Sequence, residues 1–526
     1  MSTLSLFLGL IAYAGAVPNA LPGAAVAPAQ APIVTPSPSE WSPTKVRRAI
    51  GDDIRSIGEE IGDDFGSAAT YVQSVLGSGI PSFVASGVPN FFQDFPVGKD
   101  VQSSLGIEDE QLAALPTSVL NIPGYGNWTD QGWSLRLHGN VYKQPETDRA
   151  KLDDLANIFL IDTSVEELSE SEANQARNLT ASIFVVQQDD EEVNFYLEPA
   201  PKAGASGEEG GGGAVTPNGG SQNITFPYPT TEQGDFDAFV PIQNVSDGGL
   251  EAGNATSNIQ RLNVYAQGTT SGNATAYLVP PEGLTIISDI DDILRITKIY
   301  QPKEGLLNSF ARPFVKWKNM PDIYANWSRS IPDFHFHYLT TTPEQVTRNY
   351  MEFIYGNYPG GSFDTRPLNF SDVSATLSIR KFLLTKIFQT YPRRKFILMA
   401  DTTNSDVMSA YPQLAIDYPE QVGCIFLRNT SATDPGNKFP YNTKGFKDLD
   451  QDQYMFFRVP DDLTNLDIVN GHCYNASIPQ NLTFGLQGLP FGINLGSGAA
   501  AGGPQIAWSG LMLAVAVGVL GSVAGW

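Results

Sequence analysis

The stretch Ser288-Asp-Ile-Asp-Asp-Ile293 sets Asp289 and Asp291 two residues apart, directly after the apolar run Leu284 to Ile287. An aspartate carboxylate can attack phosphorus and form an aspartyl-phosphate. Two carboxylates this close also suit Mg²⁺, a hard cation that takes oxygen ligands. Later apolar runs are followed by further groups of the same kind. Thr340, Thr341 and Thr342 come after Phe334 to Leu339, and their hydroxyls can donate to phosphate oxygens. Asp401 and Asp406 come after Lys395 to Ala400 and add hard metal ligands. Arg380, Lys381 and Lys386 lie on the helix expected ahead of that run, where one of them could face the site. A lone aspartate at a strand end is more often a helix cap or a turn residue. The order acid, hydroxyl, acid, with a cation nearby, is more specific and points to phosphoryl transfer.

The elements that must position these groups are legible in the hydrophobic pattern. From about Glu282 to Asn475, short apolar runs (Leu284 to Ile287, Phe334 to Leu339, Lys395 to Ala400, Val422 to Leu427) alternate with helix-like segments at 343–356, 374–391 and 404–418. Such runs read as buried parallel strands joined by crossover helices. In open sheets of this kind ligands bind beyond the carboxyl ends of the strands, where the acids and hydroxyls fall. Upstream, from about Ile122 to Pro280, the pattern is of short alternating strands: Trp133 to His138, Ser182 to Val186, Val193 to Leu197, Arg261 to Ala266 and Ala276 to Val279. That series suggests a β-sandwich. A Gly-rich insert, Ala203 to Gln222, interrupts it. The insert has no Lys-Ser/Thr after its glycine run Gly210 to Gly213, so it reads as a flexible loop and not a phosphate cradle.

The motifs together resemble the haloacid-dehalogenase-like phosphohydrolases, and more closely the catalytic domain of the fungal actin-patch phosphatidate phosphatase family. The carrying residues are Leu284-Thr-Ile-Ile-Ser-Asp-Ile-Asp-Asp-Ile-Leu-Arg-Ile-Thr297, Phe336-His-Tyr-Leu-Thr-Thr-Thr-Pro343, Tyr391 to Asp401 running on to Asp406, and Tyr418-Pro with the strand ending Phe426-Leu-Arg428. The resemblance implies an α/β fold with a parallel sheet and a Mg²⁺-dependent phosphatase that converts phosphatidate to diacylglycerol. It implies Asp289 as nucleophile and Asp291 as the acid that protonates the leaving alkoxide and later deprotonates water. Asp289, the backbone carbonyl of Asp291 and Asp401 would hold Mg²⁺. Thr340 and either Arg380 or Lys381 would neutralise the transferring phosphoryl group. This chain departs from the family at three places. Ile293 stands where the family has Thr, Ala400-Asp-Thr-Thr403 where it tends to Gly-Asp-Ser-Gly, and Arg380 where a Lys is expected. Ile293 and the Ala400-Asp-Thr-Thr403 loop motivate an alternative, a non-catalytic surface protein built on a degenerate phosphatase fold. A phosphatase for a soluble phosphate ester is a third reading. His335 and His337 share one strand face and read as core or interface residues before they read as metal ligands. Arg366 reads as a surface arginine before a substrate contact.

Charge and termini set the context. With 32 Lys plus Arg against 56 Asp plus Glu, the net charge of −24 disfavours a nucleic-acid partner. Residues 1–16 read as a secretory signal peptide, with the apolar run Leu4 to Ala12 ahead of Ala14-Gly15-Ala16. Residues 17–45 read as a Pro/Ala-rich disordered lead-in. In 46–95, Val46, Ile50, Ile54, Ile57, Ile61 and Phe65 fall on one helical face, whose opposite side is too acidic for an anionic membrane. The β-rich domain is placed at 96–281 and the catalytic domain at 282–480. Residues 481–526 read as a linker and a C-terminal signal: Ser497, Gly498 and Ala499, then an uncharged tail from Ala507 to Trp526. That order suits a GPI anchor at the cell surface, with a single-span anchor as the other option. Eleven Asn-x-Ser/Thr triplets, headed by Asn127, Asn178, Asn223, Asn244, Asn254, Asn273, Asn326, Asn369, Asn429, Asn475 and Asn481, agree with a secretory route. The two cysteines, Cys424 and Cys473, can pair in an oxidising compartment, or Cys424 can be a buried strand thiol.

Overall fold

The computed structural model describes residues 98–487, apart from 158, 161, 201–220, 232, 244–249, 255–257, 270, 367–372 and 435–440. The expected signal peptide, lead-in, 46–95 helix, most of the Gly-rich insert and the C-terminal tail lie outside these residues. So do the side chains of Thr341, Thr342 and Arg366. Among the described residues no helix is long and apolar enough to cross a membrane.

The first half is built on strands β1 (Thr117–Ile122), β2 (Tyr125–Thr129), β3 (Gly132–Lys143), β4 (Val186–Gln187), β5 (Asn194–Pro199), β6 (Gln222–Thr225), β7 (Asp235–Pro241), β8 (Gln260–Ala266) and β9 (Asn273–Leu278). β3 is long enough to pair with β1, β2, β4 and β7 along its length, which joins all nine strands in one continuous sheet. Alternation gives β3 two different faces. Trp133, Leu135, Leu137 and Val141 enter the core of this half, with Phe195, Phe236, Leu262 and Leu278. Ser134, Arg136, His138 and Asn140 lie between them in the sequence, and they too are buried. β1 approaches β3 so closely at Gly139 that a Cβ there would meet the Leu120 carbonyl oxygen at 1.9 Å, so only glycine fits.

The helices of this half are α1 (Gly98–Leu105), α2 (Asp109–Ala114), α3 (Arg149–Asn157) and α4 (Glu170–Ile183). α4 corrects the expected strand at Ser182 to Val186, because the helix runs through Ile183 and only Val186 and Gln187 are extended. The reason is local. Ser169 caps the helix and exchanges a capping box with Glu172, while Ala173, Ala176, Leu179, Thr180 and Ile183 bury one helical stripe.

The second half carries a six-stranded sheet of β10 (Leu284–Ser288), β11 (Phe334–Pro343), β12 (Ser362–Arg366), β13 (Lys395–Asp401), β14 (Val422–Arg428) and, after the short β15 (Tyr441–Asn442), β16 (Tyr454–Phe457). Their order is β12-β11-β10-β13-β14-β16, and every pair is parallel. β17 (Leu486–Gln487) pairs with β15 apart from it. The connections hold α5 (Pro302–Phe310), α6 (Met320–Ser330), α7 (Glu344–Asn357), α8 (Val373–Thr390), α9 (Ser405–Asp417) and the single turn α10 (Thr430–Thr433). Both sheet faces are covered, as a parallel sheet of apolar strands requires. One face packs Ile286, Met399 and Phe426 against Tyr324, Trp327 and Tyr350. The other packs Ile287, Leu398 and Ile425 against Leu384, Ile387 and Phe388 of α8. Phe388 is fully buried, so Phe388→Ala would cost roughly 3–5 kcal/mol.

The halves share their cores. Tyr125, Tyr277 and Val279 belong to the α8 side of the parallel sheet, and Phe363 N donates to Pro123 O at 2.9 Å. Cys424 in β14 is bonded to Cys473, which ties the segment after β16 to the strand beside the sheet's edge.

Candidate active site

Register brings the chemistry-bearing residues to one edge. Ser288, the last residue of β10, lies beside Tyr338 of β11 and Met399 of β13, and Asp401 lies beside Arg428 of β14. The carboxyl ends of four neighbouring strands therefore present Thr340, Asp289, Asp401 and Arg428. Thr340 is buried in the carboxyl-terminal part of β11. The main chain of Asp289 is held by its N–H, which donates to Met399 O at 2.8 Å.

Asp289 is almost wholly buried. Its Oδ2 accepts from Asn404 Nδ2 at 3.2 Å and lies 3.0 Å from Arg380 Nη2. Its Oδ1 accepts from Ile290 N at 2.9 Å. Burial pushes the carboxyl up to about 6, with the nearby Asp291 and Asp406 adding to the rise and Arg380 opposing it. The cation is thus Arg380 on α8. Its Nε also donates to Asp406 Oδ2 at 3.0 Å. Lys381 is partly exposed, one position further around the helix, and Lys386 turns to Asp237 of the first half at 3.3 Å. Asp406 faces Arg380 and is 28% exposed.

Asp291 is gripped by three side chains. Thr297 Oγ1 donates to its Oδ1 at 2.6 Å, Arg295 Nε lies 3.2 Å from Oδ1, and Tyr350 OH donates to Oδ2 at 3.0 Å. Arg295 is sandwiched in turn, with its guanidinium carbon 3.8 Å from the centre of the Phe314 ring. Asp292 does a different job. It sits at φ 56°, and its carboxylate accepts from the N–H groups of Thr297 and Lys298 on Oδ1 and of Ile299 on Oδ2, at 2.8–3.1 Å. Arg428 donates to its carbonyl oxygen. The third aspartate of the motif is therefore a staple for the loop that carries Thr297. Ile293 is fully buried in the apolar core with Tyr324 and Met455.

In the Ala400-Asp-Thr-Thr403 loop, Asp401 Oδ1 accepts from Thr403 N at 2.6 Å, and Thr402 Oγ1 accepts from Thr430 N at 3.2 Å. The threonine hydroxyl thus ties this loop to α10. Asp401 Oδ2 and Thr403 Oγ1 are buried without a hydrogen-bond partner, as is Arg380 Nη1. Burial raises the Asp401 carboxyl well above its ordinary range, and the neighbouring Asp292 and Asp289 raise it further. An orphaned carboxylate oxygen among mutually repelling acids is an environment that a divalent cation would neutralise. Among the described residues no three His, Cys, Asp or Glu side chains form a ligand cluster. The donor set fits Mg²⁺ nonetheless, because that ion commonly uses one or two carboxylates and fills its octahedron with water and substrate phosphate.

His335 and His337 lie elsewhere, at the seam between the halves. His335 Nε2 meets Ser362 Oγ at 2.8 Å, and His337 bridges Ser362 Oγ and Asp364 Oδ2 at 2.8 and 3.1 Å. Sequence reasoning did not single out Asn404, Arg295, Thr297, Tyr350 or Arg428. Of these, Arg295, Thr297 and Arg428 carried a signal, the first two by their position just after the paired aspartates and the third by closing the β14 run.

A parallel sheet whose carboxyl edge sets a buried aspartate against an arginine, with further buried acids beside it, has the groups that phosphoryl transfer uses. Residues 284–429 match the family model of the phosphatidate phosphatase APP1 catalytic domain. The match covers the region of the parallel sheet and makes the chain a phosphatase. Comparison with curated proteins gives no match.

Proposed function

We propose that the protein is a Mg²⁺-dependent phosphomonoesterase of the haloacid-dehalogenase type that hydrolyses a lipid phosphate, with phosphatidate as the substrate class. The observation that carries this reading is the contact of Arg380 with Asp289 beside the unpartnered Asp401 oxygen. In the reaction an Asp289 oxygen attacks phosphorus, the bond from phosphorus to the alkoxide oxygen breaks, and Asp291 gives the alkoxide its proton. Water then attacks the aspartyl-phosphate, Asp291 takes the water proton, and the bond to Asp289 breaks to release phosphate. Arg380 neutralises the phosphoryl oxygens, and Thr340 donates to them. Asp289, Asp401 and the Asp291 carbonyl would hold Mg²⁺, which supplies charge neutralisation to the phosphoryl group when bound. Thr297, Arg295 and Tyr350 hold the Asp291 carboxyl in place for both proton transfers.

Phosphate release from short-chain phosphatidate by the protein with Mg²⁺ tests the reading. Loss of turnover in Asp289→Asn and in Asp291→Asn is expected, and full activity in either variant would end it. Comparison with a water-soluble phosphate monoester separates a lipid enzyme from one for soluble esters. Attachment to the cell surface through a GPI-type tail is part of the same proposal, motivated by the sequence of 497–526.

A further inference from the structure

We infer that the β-rich half is part of the phosphatase machinery: through Lys386 and Asp237 it anchors α8, and so positions Arg380 against Asp289. The inference rests on the phosphatase reading above. Arg380 and Lys386 are six residues apart on one helix, about 9 Å along its axis. At its amino-terminal side Arg380 reaches the nucleophile and Asp406. Along the rest of its length α8 is tied to the β-rich half by three separate contacts. Lys386 Nζ lies 3.3 Å from Asp237 Oδ2 of β7. Asn127 Nδ2 of β2 donates to Thr390 O at 3.4 Å. Tyr391 OH, just past the helix, donates to Gly126 O at 3.0 Å.

The Asp237 side chain is 38% exposed, and a buried arginine holds it in place. Asp237 is also gripped on both oxygens by Arg136 of β3, through Nε at 2.7 Å and Nη2 at 2.9 Å. Arg136 Nη1 then reaches Asp364 of β12 at 2.5 Å, and Asp364 meets His337 of β11. One guanidinium thus joins the β-rich sheet, the edge of the parallel sheet and, through Asp237, the helix. Arg136 and Asp364 are fully buried. Breaking a buried, hydrogen-bonded ion pair leaves a charge uncompensated, which gives such a network one favoured geometry. Apolar packing of Leu384, Ile387 and Phe388 fixes the distance of α8 from the sheet. The polar ties fix its position along and around its axis, which sets where the Arg380 fork arrives. Catalysis is sensitive to that placement, since a misplacement of about 1 Å can cost on the order of 100-fold. Lys386 and Asp237 are positioning residues and touch no reacting atom.

The test is a double-mutant cycle between Lys386→Met and Arg380→Ala, read by turnover and by calorimetric binding of inorganic phosphate, with thermal melting as a control for folding. Lys386→Met alone is expected to lower kcat and weaken phosphate binding roughly ten- to a hundred-fold, with the Mg²⁺ concentration for half activity unchanged. Lys386→Arg, which can still reach Asp237, is expected to restore most of both. In the Arg380→Ala background Lys386→Met should add little, because the group it positions is gone. Full additivity, or normal phosphate binding in Lys386→Met, overturns the inference. A wild-type protein that neither binds nor releases phosphate overturns the phosphatase reading and this inference with it. A variant that fails to fold is replaced by Asp237→Asn, which leaves Lys386 in place and carries the same expectation.

Discussion

Removing the charge of Asp289 should make the metal-free protein more stable while it destroys the chemistry. In the folded chain this carboxyl is lifted from 3.8 to about 6. Burial is the main cause, Asp291 and Asp406 add to it, and the contact with Arg380 does not fully offset them. A group whose folded pKa is raised binds its proton more tightly in the folded state. It therefore contributes nothing adverse below about pH 4, and stability falls as pH rises from there through about 6. At about 1.4 kcal/mol per pH unit, holding Asp289 ionised at pH 7.5 costs about 3 kcal/mol. Asn keeps the shape and can still accept from Ile290 N, but carries no charge to desolvate. Asp289→Asn in EDTA should therefore raise Tm by several degrees at pH 7.5 and leave it nearly unchanged at pH 4. The same variant should lose turnover and the gain in Tm that Mg²⁺ gives the wild type. The assay is thermal melting at the two pH values with and without Mg²⁺. A lower Tm for Asp289→Asn in EDTA at pH 7.5 would refute the reasoning, since Arg380 would then outweigh burial.

Three further outcomes follow from the same geometry. Mg²⁺ at a hundred times its dissociation constant should stabilise the wild type by about 2.7 kcal/mol, and Asp401→Asn should abolish most of that shift in a melting titration. His138 is buried beside Arg136 and Lys386, and burial first, then Arg136, lowers its pKa from 6.5 to about 3. A depressed histidine costs nothing above pH 6.5, and it destabilises the fold as pH falls from there towards 3. The cost grows to about 5 kcal/mol at most. His138→Leu should flatten that part of the stability-versus-pH curve measured by urea unfolding. Asn127 is buried against Thr390, so glycopeptide mapping of secreted, folded protein should find it unmodified, while exposed Asn178, Asn223, Asn254, Asn273, Asn326 and Asn481 remain accessible.

The catalytic strands were legible because a strand buried on both faces writes itself as a continuous apolar run, and the runs at 284–287, 334–339, 395–400 and 422–427 each became a strand of the parallel sheet. The helices between them carried a helical period and fell within a residue or two of 343–356, 374–391 and 404–418. The edge strands β12 and β16 were not legible. Ser362-Phe-Asp-Thr-Arg366 contains a buried acid whose partner, Arg136, is 228 residues away, and no local pattern announces such a pair. Ser182 to Val186 misled for the opposite reason. Its apolar residues suit a strand, but the capping box thirteen residues earlier starts a helix that runs through Ile183.

The seam explains why the site itself was only half legible. In Trp133-Ser-Leu-Arg-Leu-His138 the alternation announces a strand, and polar residues on the even positions look like a solvated face. Instead, Arg136 and His138 are 2% and 4% exposed, because the second half covers that face and the buried charges are matched across it. A single sequence records the type of each charge but not its partner. For the same reason the choice between Arg380 and Lys381 stayed open. Both lie on α8, and what separates them is the rotation of the helix about its axis. That rotation depends on where Lys386, Thr390 and Tyr391 meet a sheet formed more than a hundred residues earlier. If the ties at the seam set the angle at which Arg380 enters the site, the β-rich half cannot be removed without moving the cation. An isolated 282–480 fragment that folds should then keep the acidic cluster and lose phosphate affinity.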